Sequence, residues 1–95
     1  MVNQFMKKEE RKIMPKVEQM HSTAGNPVAN QFIIYDDNTI YFQSYDSIIV
    51  KKFAGKVYLD ETYWNYSGTT TKYRNIFLNE TTKETKRKLS QGNIF

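Results

Sequence analysis

The chain has 95 residues, a net charge of +4, 15% aromatic residues and no cysteine. A chain of that size is one small domain that buries about 60 to 65% of its unfolded surface, so large aromatic side chains must supply much of its core. Without cysteine, disulfides and thiolate metal sites are excluded. No apolar run approaches the roughly 18 residues of a membrane span and the N-terminus lacks a signal-peptide segment, so the expectation is a cytoplasmic protein that does not enter a membrane.

The charge is uneven. Residues 1–29 carry +2, residues 30–66 carry −2 and residues 67–95 carry +4. A basic C-terminal end behind an acidic-leaning middle points to an acidic partner, either nucleic acid or a carboxylate-rich protein surface. Lys outnumbers Arg eleven to three, a bias that an AT-rich genome also produces.

Residues 1–20 read as an N-terminal extension, a short helix over Asn3–Ile13 ended by Pro15 or a frayed solvated segment. Residues 21–95 read as a single α+β domain. His21 to Asn30 is expected to be a loop, with Gly25-Asn26-Pro27 as its turn signal. His21 is the only histidine, and without a second ligand at metal spacing it reads as a loop residue.

The core-forming stretch is residues 31–60. Its β-rich runs, Phe32–Tyr35, Ile40–Tyr45, Ile48–Val50 and Val57–Leu59, are separated by Asp, Asn and Gly clusters and predict antiparallel strands. A two-residue loop at Asp37-Asn38 pairs Tyr35 with Ile40. A three-residue loop closed by Asn38 in the left-handed region pairs Ile34 with Ile40 and Phe32 with Phe42. The second register gathers Phe32, Ile34, Ile40 and Phe42 on one face and Tyr35, Tyr41 and Tyr45 on the other, and burial favours it. Asp36, Asp37 and Asn38 are turn formers, since a calcium loop needs further oxygens and a closing Glu. Asp46-Ser47 predicts a bend or bulge.

Residues 60–70 form an aromatic connection in which Trp64 plugs one end of the sheet while Tyr63 and Tyr66 stay partly exposed. Ser67 to Thr70 feeds a helix capped by Thr69 or Thr70, with Tyr73, Ile76 and Phe77 facing the sheet. Thr81 and Glu84 then form a capping box for a second, weakly packed helix that ends at Gly92 and carries Lys86, Arg87 and Lys88 in its last turns. The expected architecture is an antiparallel sheet of three to four strands with two short C-terminal helices packed on one face.

No nucleophile elbow, phosphate loop or zinc spacing is present, so nothing argues for an enzyme, a cofactor or a metal. The residues with binding chemistry are Tyr41, Tyr45, Tyr63 and Tyr66 together with Lys72, Arg74, Lys83, Lys86, Arg87 and Lys88. Tyr and Arg carry interface energy disproportionately, and an aromatic-plus-basic set also suits single-stranded nucleic acid. The cations equally fit a solvated, solubilising helix face.

The segments HSTAGNPVANQFII, YFQSYDSIIVKK, GKVYLDETYWNYS and TTTKYRNIFL, in that order, resemble a family of short uncharacterised proteins encoded by bacteriophages and mobile elements. The resemblance covers roughly residues 20–90 and carries over no catalytic or ligand residue. It implies a small non-enzymatic binding protein that occludes a host protein or nucleoprotein complex, in its most specific form an anti-CRISPR-like inhibitor of a host defence effector. A nucleic-acid-binding accessory protein using the C-terminal basic helix is the alternative.

Overall fold

A computed structural model describes residues 15–91. Five strands, β1 (Lys16–His21), β2 (Pro27–Asp36), β3 (Thr39–Ser44), β4 (Ser47–Phe53) and β5 (Lys56–Leu59), form one antiparallel sheet in sequential order. Two helices follow, α1 (Gly68–Leu78) and α2 (Thr82–Ser90). The α+β class is as expected, but the sheet has five strands rather than three or four. The additional strand is β1, which lies within the stretch read as an extension, and β2 starts inside the expected loop. The expected helix over Asn3–Ile13 lies outside the described residues, as do Ile94 and Phe95.

Three two-residue turns, Asp37-Asn38, Tyr45-Asp46 and Ala54-Gly55, connect β2 to β5. The first of them corrects the expected register. Tyr35 pairs with Ile40 and Ile34 with Tyr41, and Asp37 rather than Asn38 takes the left-handed conformation at φ +56°. Phe32 and Ile34 therefore share a face with Tyr41, while Phe42 lies opposite Ile33 on the other face. The expected tyrosine face does not exist as such, because Tyr35 lies on the same side as Ile40 and Phe42.

The inner face is a row of cross-strand neighbours, Ile33, Phe42, Val50 and Leu59. Between Val50 and Ile48 the pairing with β3 slips by one, leaving Ile49 as the extra residue of a β-bulge. The bulge lets two consecutive residues, Ile49 and Val50, both be buried, which strict alternation forbids. Phe42, fully buried, stacks on Phe77 of α1 at 5.7 Å, and Tyr73 and Met20 complete the core. Ile76, expected to face the sheet, is 47% exposed. The face of α1 that turns inward is instead Thr70, Tyr73, Arg74 and Phe77, at i, i+3, i+4 and i+7.

Ser67 caps α1, its hydroxyl accepting from Thr70 N at 3.2 Å, in place of the expected Thr69 or Thr70. Asn79 closes the helix in the left-handed conformation. The capping box of α2 is present as expected. Thr81 Oγ1 accepts from Glu84 N at 3.1 Å, and Glu84 Oε1 accepts from Thr81 N at 2.8 Å. These bonds to its ionised form hold the Glu84 carboxyl below its ordinary pKa.

Candidate binding site: a tyrosine cleft held by a buried arginine

Two hydroxyls meet beneath the N-terminal turn of α1. Ser44 at the end of β3 lies 2.8 Å from Thr70 Oγ1, and both are buried. Beside them opens a cleft of about 230 Å³ lined by Tyr45, Asp46, Ser47 and Ile49 from one segment and by Tyr63 and Tyr66 from another. Three of the four tyrosines singled out from the sequence thus converge on one site. Tyr41 does not; it sits on the outer sheet face between Ile34 and Lys51.

Each wall is held by specific bonds. Tyr45 occupies the left-handed region at φ +55°, a conformation that costs an ordinary L-residue roughly 1–2 kcal/mol. The turn is pinned from both sides: Tyr45 N donates to Asn30 O at 2.7 Å and Gln43 Nε2 donates to Tyr45 O at 2.6 Å. On the opposite wall, Asp60 Oδ2 accepts from the backbone N–H groups of Thr62 at 3.0 Å and Tyr63 at 2.6 Å, an Asx turn that fixes where Tyr63 emerges. Tyr63 and Tyr66 then meet edge to face, 5.2 Å between ring centres and 79° between planes. All three rings remain accessible, Tyr45 at 50%, Tyr63 at 39% and Tyr66 at 71% exposure.

Arg74 belongs to this site by support and not by contact. The sequence reading placed it in a basic contact surface, but it is completely buried. Its guanidinium donates to the Trp64 carbonyl, to Asn65 Oδ1 at 3.3 Å, to Asn75 Oδ1 at 2.9 Å and to Thr82 Oγ1 at 2.8 Å. It also stacks over the Trp64 ring at 5.0 Å. Burial lowers its pKa and the neighbouring Glu80 carboxylate opposes that shift. Trp64 and Asn65 lie between Tyr63 and Tyr66, so Arg74 ties the tyrosine-bearing turn to both helices. The Trp64 side chain is half-buried against this guanidinium. A fork of donors reaching several carbonyl-type acceptors at once is a task for which Arg is better shaped than Lys.

The remaining cations divide. Lys88 is paired with Glu80 at 2.7 Å, and the other Glu80 oxygen accepts from the Thr85 hydroxyl. Lys72 is exposed, with its Nζ 5.5 Å from the Tyr73 ring. Lys83, Lys86 and Arg87 are exposed on α2, at i, i+3 and i+4, and so form one stripe. Two of the six cations read as contact residues, Arg74 and Lys88, are therefore spent inside the fold. Arg74 was legible as an inward residue only through the Thr70, Tyr73, Arg74, Phe77 spacing, which its charge disguised.

Among the described residues, no group of three or more His, Cys, Asp and Glu could hold a metal ion, and no helix is long and apolar enough to cross a membrane.

Fold and site define a small α+β domain that presents an aromatic cleft at one end of a five-stranded meander. The chain belongs to DUF8033, a family of unknown function, whose model matches residues 15–93. The match begins at the residue before β1, in agreement with the strand that sequence reading had left outside the domain. No curated protein and no solved structure matches the chain.

Proposed function

We propose that this protein is a non-enzymatic binding module that acts by occluding a surface of a protein partner, with the tyrosine cleft as its contact site. The observation that carries this reading is the convergence of Tyr45, Tyr63 and Tyr66 around one accessible cleft. Tyrosines offer large, stiff, amphipathic contact area, and such residues supply most of the energy of protein interfaces. The left-handed backbone of Tyr45 belongs to its two-residue turn, as it does at Asp37 and Ala54 in the other two turns, but an aromatic residue stands there in place of the Asn, Asp or Gly that such turns prefer. In its most specific form the proposal is that of a phage or mobile-element protein inhibiting a host defence effector, as the family resemblance suggests.

The test is a paired capture from a host lysate with wild type and with Tyr45→Ala and Tyr66→Ala. A protein partner retained by wild type and lost from both variants, at unchanged circular dichroism, is the expected result. A partner retained equally by all three would remove the cleft from the interface.

The exposed stripe Lys83, Lys86 and Arg87 favours a second reading, nucleic-acid binding. With three cations available rather than six, the log–log salt slope should be about −2 to −3. Binding to bare DNA or RNA with that slope, abolished by Lys86→Glu with Arg87→Glu, would select this reading over the first.

A further inference from the structure

The cleft has a definite electrostatic sign. Its lining falls within residues 44–49 and 63–70 and includes Asp46 but no Lys, Arg or His. Arg74 lies behind this surface, fully buried and bonded to Trp64 and Asn65, so the lining itself presents a carboxylate and no cation. Asp46 is the one charged residue in the lining. The N-terminus of α1 contributes about half a positive charge nearby, less than the full charge of Asp46.

Ring geometry adds to the charge. Tyr63 and Tyr66, 79° apart in plane, meet edge to face, and Tyr45 lines the same cleft. Aromatic faces attract cations through the ring quadrupole, and rings at steep angles around a small space are the arrangement by which proteins hold ammonium and guanidinium groups.

We infer that Tyr45, Tyr63, Tyr66 and Asp46 form an aromatic cage for a cationic side chain, the guanidinium of an arginine or the ammonium of a lysine on a basic segment of the partner protein. This rests on the reading of the cleft as a protein-contact site and gives that contact its chemistry. The rings supply cation–π attraction, Asp46 supplies a counter-charge, and the bonded Ser44 and Thr70 hydroxyls, also in the lining, add acceptors for the N–H groups at the tip. An anion is disfavoured by the same Asp46 carboxylate.

The experiment is a titration of the purified full chain, followed by the tyrosine ring resonances, with N-acetyl-arginine amide. N-acetyl-norleucine amide serves as the apolar isostere and inorganic phosphate as the anion. All are compared at equal ionic strength. Saturable shifts of the Tyr45, Tyr63 and Tyr66 rings are expected, with the arginine probe binding about tenfold tighter than norleucine. Asp46→Asn should weaken the arginine probe several-fold. Tyr66→Leu, which keeps apolar area but removes a ring face, should weaken it by about tenfold while leaving norleucine nearly unchanged.

Equal binding of arginine and norleucine would make the cleft an ordinary apolar pocket and overturn the cage. Tighter binding of phosphate would overturn its sign, and the absence of any saturable shift would overturn it outright. The outcomes also separate the two proposals. A partner lost from Tyr66→Ala while arginine fails to bind keeps the contact site and removes the cage. Arginine binding with no tyrosine-dependent partner does the reverse.

Discussion

Two polar, aromatic regions lie side by side around α1, and they are built on opposite principles. Around Arg74 the buried polar groups find partners: the guanidinium meets four acceptors, and Glu80 is held by Lys88 and Thr85. Only Arg74 Nε lacks a partner there among the described residues. At the cleft the balance reverses. Tyr45 stands at a left-handed turn position that Asp37 and Ala54 fill in the other two hairpins, and Gln31, cross-strand partner of the lining residue Ser44, is fully buried with neither side-chain polar atom bonded among the described residues. A bulky aromatic residue at a turn position that favours Asn, Asp or Gly, and a buried amide without partners, are departures from what the fold prefers, and such departures concentrate where a surface serves something besides folding.

The largest effect should come from the satisfied region. Arg74→Leu would strand the Trp64 carbonyl, Asn65, Asn75 and Thr82 and leave Glu80 with Lys88 as its one neighbouring cation, at a cost of about 3–5 kcal/mol in urea unfolding. Arg74→Lys should recover only part of that, because an ammonium cannot reach acceptors in several directions at once. A loss below about 1 kcal/mol for Arg74→Leu would mean the network is ornamental and the contrast false.

The next effect has the opposite sign. Gln31→Met keeps the volume and removes an amide buried without partners, so stability should rise by about 1–2 kcal/mol. A loss of stability would show that Gln31 is bonded in solution, and would remove one of the two departures next to the cleft.

Much of this molecule was legible in its sequence, and the failures have identifiable causes. The turn clusters and β-rich runs located four of the five strands, and the Thr81–Glu84 spacing located the capping box. β1 escaped notice because KVEQMH buries only Met20. An edge strand of that kind is held by backbone ladder bonds to β2 more than by an apolar face. The hairpin register failed because burial was expected to segregate the apolar residues, yet the outer face carries Phe32 and Ile34 beside Tyr41. Segregation was therefore not the quantity that selected the register. Tyr45, Tyr63 and Tyr66 were recognised as contact residues, but their meeting depends on a two-residue turn and an Asx turn distant in sequence. Arg74 was misplaced because charge usually predicts exposure, and a fully satisfied guanidinium is the exception.

A smaller effect tests how firmly α2 is attached to the Arg74 network. Thr82 opens that helix and accepts from Arg74, so weakening the cap one residue earlier loosens the network from its far side. Thr81→Ala should cost about 1 kcal/mol. The wild-type box is also pH-dependent. Glu84 has a folded pKa below its unfolded value, so its contribution is present above the unfolded carboxylate pKa and is lost as pH falls through the folded one. Thermal unfolding of wild type and Thr81→Ala should converge on acidification. Curves that stay parallel to low pH would show that the box adds nothing.

The smallest effect tests the cleft most directly. Tyr45 adopts φ +55°, a region that Asn enters more readily than other L-residues with a side chain, as Asn30 at +66° and Asn79 at +56° do in this same chain. Tyr45→Asn keeps the backbone bonds from Tyr45 N to Asn30 O and from Gln43 Nε2 to the Tyr45 carbonyl, since neither uses the side chain. The ring is half exposed and contributes little to the core. Relief of backbone strain should therefore outweigh the lost contact area, raising stability by about 0.5–1 kcal/mol. The same substitution removes one wall of the cage and should weaken the arginine probe and the partner together. Greater stability with weaker binding would identify Tyr45 as a residue kept for contact at the expense of the fold. Lower stability with unchanged binding would assign the ring to folding, and the distinction between the two regions would disappear.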